Sequence, residues 1–490
     1  MFNARFIRTG LSSAFAVVLA GCASGPDYHT PDVPKAADAA FVTHSPNLDS
    51  TQSPPAQWWR LYRDQELDTL VQQALAANTD LRAANANLVR ARAIFEEAGS
   101  GRYPSTELSA GASYGRDQTA WPGPGKAPKQ WSYSGGLNVA YEVDLFGRVK
   151  RDIQAAQFDM QAVAATRDAV RLAVVAETTR AYIDTCALGE SVDVAKHSLQ
   201  LAERSLQLVD QRQRAGASTR LDVERAAASR ARALAALAPL QGQRQKRLLE
   251  LAALMGRTPS DIPGSARQCR RVPVFSSSLP IGNGVQLLRR RPDVRAAERR
   301  LAADTARIGI AVANLYPHIS LGASANYLRN DTLRGDRTWS FGIGPLISWS
   351  FPNQVVARSR IRQAKAQSAA ALANFDGTVL TALKETEQAL VDYNTTLEQR
   401  SALAEARDHA KSAYTLAQQR FRAGVIGYLD VLVAQATLID ADAQLIAAEQ
   451  QLGSRRVSVF LALGGGWEKT DNSSREQQAS ISPRSPKATL

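Results

Sequence analysis

Two spacing rules divide this chain. Over residues 130–144 apolar and polar side chains alternate, with Trp131, Tyr133, Leu137, Val139, Tyr141 and Val143 on one side and Ser132, Ser134, Gly136, Asn138, Glu142 and Asp144 on the other. Residues 338–351 repeat the pattern, setting Trp339, Phe341, Ile343, Ile347 and Trp349 against Ser340, Gly342, Gly344, Ser348 and Ser350. A period of two sends successive side chains to opposite faces of a strand, so each segment is a strand with one greasy and one wet face. Segments near 105–116 and 318–329 complete two strand pairs. Elsewhere the rhythm is helical. Val379, Leu383, Thr386, Leu390, Tyr393 and Leu397 advance by fours and threes, as do Leu432, Ala436, Ile439, Ala443 and Ile446, the spacing of helices packed side by side. A seam through Leu172, Val175, Thr179 and Tyr182 resumes out of register at Val192, Ala195 and Leu199, which implies altered supercoiling.

These elements occur twice. A helix over 64–99, two strands, and helices over 148–214 and 221–255 are followed by a helix over 292–314, two strands, and helices over 355–422 and 429–463. Arg212-Gln213-Arg214-Ala215-Gly216 with Leu221-Asp222-Val223 returns 208 positions later as Arg420-Phe421-Arg422-Ala423-Gly424 with Leu429-Asp430-Val431. Tyr103-Pro104 returns as Tyr316-Pro317. Solenoid units run about 20 to 50 residues, so this long period marks duplication of a whole structural half, giving repeats over 64–281 and 282–467. A helix over 148–214 would reach about 100 Å, too long to fold into a globule. The two shorter helices, 221–255 and 292–314, nearly match one long helix when stacked end to end.

A half-buried soluble sheet would alternate in the same way. Aromatic residues near the strand ends and strands of about 12 residues, beyond the 9 to 11 needed to cross lipid, favour a membrane wall. Four strands cannot close a barrel, and the smallest bacterial outer-membrane barrels have about eight. Several copies must therefore share one wall. A trimer giving twelve strands is the natural candidate, and counting alone leaves a dimer giving eight open.

The ends agree with export. Arg5 and Arg8, an apolar run over 11–19 and Leu19-Ala20-Gly21-Cys22 resemble a bacterial lipoprotein signal over residues 1–21, which makes Cys22 the lipidated mature N-terminus. Ala23, in place of the Asp that retains lipoproteins at the inner membrane, points to outer-membrane delivery. Residues 22–63 read as an extended lead with order beginning near Trp58-Trp59, and 468–490 as a disordered tail.

Composition narrows the chemistry. The net charge of +13 is spread as Lys and Arg among Asp and Glu, so it describes solvated helix faces rather than a nucleic-acid site, and it suits contact with anionic lipid headgroups. Five His and three Met form no metal-ligand spacing, no cofactor motif is present, and neither a phosphate-binding loop nor a serine-nucleophile elbow occurs. The chain is expected to do no catalysis. Apart from Cys22, only Cys186 and Cys269 remain, and either a bridge or two buried thiols fits an exported protein.

The ordered motifs resemble the TolC-like outer-membrane efflux factors, in particular their NodT-type lipoprotein branch. The resemblance rests on Gly25-Pro26-Asp27-Tyr28 after the lipid cysteine, on Tyr141-Glu142-Val143-Asp144-Leu145-Phe146-Gly147-Arg148, on Leu287-Leu288-Arg289-Arg290-Arg291-Pro292-Asp293-Val294-Arg295, and on Leu463-Gly464-Gly465-Gly466-Trp467. It implies a mixed α and β membrane protein whose homotrimer forms a 12-stranded outer-membrane β-barrel continuous with a periplasmic α-helical barrel. It also implies a passive exit duct for small toxic compounds such as antibiotics, joined to a periplasmic adaptor and an inner-membrane pump of the RND type. Gly216, Asp222 and Gly424 then fall at adaptor-docking tips. Asp430 matches the first aspartate of the family's periplasmic gate, where three copies would repel one another so that cations or protonation bias the opening. Many relatives carry a second aspartate three residues on; here that position is Val433, which makes the second layer apolar. A type I protein-secretion duct and a poreless structural coiled-coil lipoprotein are the rival readings.

Overall fold

The computed structural model describes residues 24–32, 41–116, 123–275 and 278–465. The signal segment, Cys22, Gly466, Trp467 and the tail lie outside the described residues. Two compact units are present, each drawing on both repeats: one contains Asn87–Ala164 and Ala296–Gly377 with the lead up to Asp32, the other contains Val33–Ala86, Ala165–Arg295 and the chain from Thr378.

The helices are α1 (Gln65–Ala77), α2 (Thr79–Ser100), α3 (Arg148–Arg214), α4 (Arg220–Leu254), α5 (Gly264–Gln268), α6 (Gly284–Arg290), α7 (Pro292–Ala313), α8 (Val355–Arg422) and α9 (Tyr428–Ala462). The strands are β1 (Ser105–Gly115), β2 (Gln130–Glu142), β3 (His318–Arg329) and β4 (Trp339–Ser348), antiparallel in the order β1-β2-β3-β4. A two-residue parallel ladder joins Leu48–Asp49 to Leu279–Pro280.

Three expected boundaries move. The helix expected over 64–99 is two helices broken at Asn78, whose side chain accepts from Leu81 N at 3.0 Å and donates to Leu254 O at 2.9 Å. That residue caps α2 and is anchored to α4 at the same time, which a continuous helix would prevent. The second repeat breaks in the equivalent place at Arg291, between α6 and α7, and α6 was not anticipated from the sequence. Likewise β2 ends at Glu142 instead of reaching residue 144, because the Asp144 carboxylate turns to cap α3, accepting from Val149 N at 3.1 Å and Lys150 N at 2.8 Å. Glu142 pairs with both nitrogens of the Arg148 fork across this corner. In the same way β4 stops at Ser348, and Trp349 donates its indole N–H to Leu315 O at 3.0 Å.

The lead is less extended than its composition suggested. Ser24 N donates to Phe146 O at 3.2 Å, Arg151 bridges to Asp27 at 2.8 Å, and Tyr28 donates to Glu298 at 2.9 Å, so the Gly25-Pro26-Asp27-Tyr28 motif lies on the strand-to-helix corner and on α7. In the other unit Phe41, Trp58, Trp59 and Tyr62 are buried.

That unit holds the main hydrophobic core, built from the 3-10 turn Trp58–Tyr62, α1, α3, the end of α4, α8 and α9. Trp58 stacks on Phe460 at 4.7 Å and donates to Gly465 O at 3.1 Å. The α8 seam is as its spacing predicts, since Val379, Thr386, Leu390 and Tyr393 are buried. The α9 seam is displaced. Of the expected positions Ile446 is buried but Ala436 and Ala443 are exposed, and Val431, Gln435, Leu445 and Leu452 are buried instead, because packing within one chain uses mostly the neighbouring stripe. Where α9 packs on α3, a Cβ on Gly453 would lie 2.6 Å from Cγ2 of the fully buried Ile183, so glycine fits without a shift of that side chain and a larger residue does not. Cys186 on α3 and Cys269 after α5 are joined by a disulfide, which holds the segment between the repeats against α3. Arg244 of α4 reinforces it by donating to Cys269 O at 3.1 Å.

Arg291, buried at the α6–α7 break, pairs with Asp293 at 2.7 Å and Glu385 at 2.8 Å and donates to Ala462 O at 3.0 Å. Burial alone would raise the Asp293 carboxyl, but hydrogen bonds from Arg291 hold it below the usual carboxylate range.

Two substitutions test this packing by thermal unfolding of the purified protein. Gly453→Ala should destabilise by about 1–3 kcal/mol through overpacking, whereas Gly242→Ala, where nothing lies near the new Cβ, should leave stability unchanged or raised. Arg291→Leu should cost about 1–3 kcal/mol near neutral pH, a buried-pair loss reduced because both carboxylates are half exposed. The depressed Asp293 contributes above its unfolded pKa and loses that contribution as pH falls through its folded pKa. The gap between wild type and Arg291→Leu should therefore narrow in acid.

Candidate functional site

The sheet and the two helix reversals carry the features a duct needs. On the sheet, register puts Leu108, Tyr114, Trp131, Tyr133, Leu137, Leu321, Phe341, Ile343 and Ile347 on one face. Phe341 is 90% exposed and Ile343 77% exposed, a large apolar surface with no cover in the single chain. The opposite face carries Ser109, Gly111, Ser113, Ser134, Gly136, Asn138, Ser324, Asn326, Ser340 and Gly342, mostly small and polar, with Leu328 and Leu346 as apolar exceptions. Among the described residues β1 and β4 each pair on one side only, which leaves a row of backbone donors and acceptors open at both edges.

The two reversals are built alike and then differ. Ala217 N donates to Arg212 O at 2.8 Å and Gly216 N to Gln213 O at 3.0 Å; Val425 N donates to Arg420 O at 3.0 Å and Gly424 N to Phe421 O at 3.0 Å. Both glycines are left-handed, with φ of 76° and 75°, as this helix-closing motif requires. In the first reversal Thr219 caps α4 and Asp222 completes a capping box, accepting from Thr219 N at 3.1 Å and Thr219 Oγ1 at 2.7 Å. Those hydrogen bonds hold the Asp222 carboxyl below its ordinary value.

In the second reversal the cap is Gly427, which has no side chain to offer, and Asp430 takes part in no capping box. Asp430, Val433, Thr437 and Asp440 stand at spacings of three and four on one exposed stripe of α9, with Val433 58% exposed. The candidate gate residues thus share a face, while Asp222 is committed to ending its own helix.

A contact between the reversals was not anticipated from the sequence. The Arg212 guanidinium lies 4.5 Å over the Phe421 ring, and Phe421 meets Tyr428 at 5.4 Å. The available signal was the one mismatch in the duplicated Arg-x-Arg-Ala-Gly, Gln213 against Phe421. Further along, α3, α8 and α9 enclose a groove of 760 Å³ lined by His197, Arg407, Lys411, Gln435 and Asp442 among others, where burial raises the Asp442 carboxyl.

Comparison with known proteins places this geometry. The family profile described as "Outer membrane efflux protein" matches residues 70–257 and 284–465. The toluene efflux pump outer membrane protein TtgF of Pseudomonas putida is 31% identical over 474 residues, covering 94% of this chain and 97% of TtgF. The outer membrane protein OprJ of Pseudomonas aeruginosa is 31% identical over 464 residues, covering 93% of this chain and 95% of OprJ. The solved outer-membrane channel OprN superposes with a TM-score of 0.82 at 34% identity, covering 91% of this chain and all of that one. With both repeats matched and the chain aligned over nearly its whole length, this protein belongs to the outer membrane efflux protein family.

Proposed function

We propose that the chain is the exit duct of a tripartite efflux pump, assembled as a homotrimer whose twelve strands close one outer-membrane barrel continued by a helical tunnel. The observation that carries this reading is the sheet: apolar on one face, mostly small and polar on the other, and unpaired at both edges among the described residues. Lipid leaves no partner for an open edge, so β4 of one copy pairs with β1 of the next until the wall closes. Three copies give the twelve strands, and the small polar inner face keeps the lumen wet.

In this reading residues 64–281 and 282–467 are the two wall-building repeats, and Cys22 carries the lipid that ties the lead to the membrane. Gly216, Asp222 and Gly424 lie at the ends that dock the periplasmic adaptor. Asp430 contributes a ring of three carboxylates, with Val433 as an apolar layer beside it. An inner-membrane pump of the RND type supplies the energy. Small apolar compounds suit a duct whose relative TtgF is named for toluene efflux. The apolar surface of α9, a window of mean hydropathy 1.4 that is only 28% buried in one chain, is covered where neighbouring copies meet.

Three measurements test the reading. The native mass in detergent should be three times that of the protomer; twice would select the eight-stranded dimer. In planar bilayers the assembly should conduct weakly, and Asp430→Ala should raise conductance several-fold. An assembled oligomer that stays silent even with Asp430 and its neighbours replaced would sink the duct. Deleting the gene should sensitise cells to solvents and antibiotics; loss of one secreted protein with unchanged sensitivity would point to protein secretion instead.

A further inference from the structure

The loop end of the sheet carries a feature that conduction does not use. Across the two central strands Tyr133 pairs with Arg329, and Gly135 with Tyr327. Trp131, Tyr133, Tyr327 and Arg329 therefore share the apolar face, and with Asn330, Asp331 and Arg334 they line a cavity of 520 Å³. Trp131 and Tyr133 stack with centroids 6.3 Å apart and planes 17° apart, forming one wall. The floor is fixed. Asn330 is buried, and its Oδ1 accepts from Thr332 N at 2.9 Å and Leu333 N at 2.7 Å, while Asp331 N donates to the buried Gln130 at 3.2 Å.

Two guanidinium groups border this cavity with little to neutralise them. Arg329 makes no ion pair among the described residues. Among the described residues Arg334 pairs with Asp331 alone, at 3.6 Å, with both side chains about 70% exposed, a pair that contributes little in water. Lys129 and Arg337 stand next along the chain on either side. The result is a cationic fork beside stacked rings, at the strand ends opposite the helices.

We propose that this cavity binds the phosphate of an outer-leaflet lipid headgroup, with Arg329 and Arg334 as its ligands and the Trp131–Tyr133 wall against the lipid's less polar part. A planar guanidinium matches phosphate oxygens two at a time, and aromatic rings at a barrel's rim sit at headgroup level. A lipid fits better than a free anion because the cavity opens on the apolar face, where acyl chains run. It also stays open in an assembly, since β2 and β3 are the inner strands while copies join at β1 and β4. The inference rests on the duct reading for the orientation of the sheet.

Native mass spectrometry of the full-length protein in detergent tests it, with phosphatidic acid as the probe and diacylglycerol as its phosphate-free counterpart. The wild type should retain phosphatidic acid and release diacylglycerol. The double change R329A/R334A should weaken retention by about tenfold or more, from the loss of charged hydrogen bonds. R329K/R334K, which keeps the charge but removes the fork, should fall between, and R102A at the far end of the sheet should bind as wild type does. Equal retention by R329A/R334A, or displacement of the lipid by equimolar inorganic phosphate, overturns the proposal. A protein that conducts in bilayers but retains no phosphatidic acid removes this inference alone; one that stays silent even with Asp430 and its neighbours replaced removes the duct reading with it.

Discussion

A backbone amide in hydrocarbon must find its partner within protein, and that constraint organises this molecule. Four strands leave two open edges, and the face beside them is covered with Leu, Ile, Phe and Trp that no other part of the described chain buries. In water such a surface would aggregate, and in lipid as a single copy it would still expose the edge groups of β1 and β4. The self-association proposed above would satisfy both demands at once. The mostly small residues opposite suit the inner side of such a wall, which is crowded and wet.

The corner between strand and long helix has to turn the chain without leaving polar groups bare. Asp144 does this by leaving the strand to cap α3, and the Glu142–Arg148 pair locks the bend beside it. The lead fastens onto the same corner through Ser24, Asp27 and Arg151. A motif that looks like a signature in sequence is thus a set of capping and ion-pair contacts. Arg291 has a comparable place at the α6–α7 break, joining that break to α8 and α9.

Much of this was legible in the chain. Strand alternation gave the faces correctly because a period of two admits no drift, and the long helices followed from uninterrupted runs ended by Gly216 and Gly424. The break at Asn78 was not legible, since it depends on Leu254, distant in sequence; the helix start at Pro292 was read, but not the short α6 before it. The α9 seam was misplaced for a related reason: two apolar stripes lie side by side, and spacing alone cannot say which one a given neighbour covers. Of the candidate gate, the shared face of Asp430 and Val433 is a matter of helical periodicity. The Arg212–Phe421 contact is tertiary, and only a mismatch between the repeats hinted at it.

That mismatch belongs to a wider divergence between the two reversals. Each closes with the same pair of backbone bonds and the same left-handed glycine, so their geometry descends from one ancestor. Where the first keeps Thr219 and thereby occupies Asp222, the second has Gly427, and the equivalent carboxylate has no local partner to cap. A glycine in place of a threonine cap gives up only about a few tenths of a kcal/mol, so the exchange costs little stability. What it yields is an aspartate exposed beside Val433 on the most apolar of the long helices. Phe421, at the other divergent position, takes the Arg212 cation and joins the two reversals within a single chain. The duplication thus supplied two equal turns that differ in one capping hydroxyl: the first ties its carboxylate into the helix cap, and the second leaves Asp430 exposed and outside any capping box.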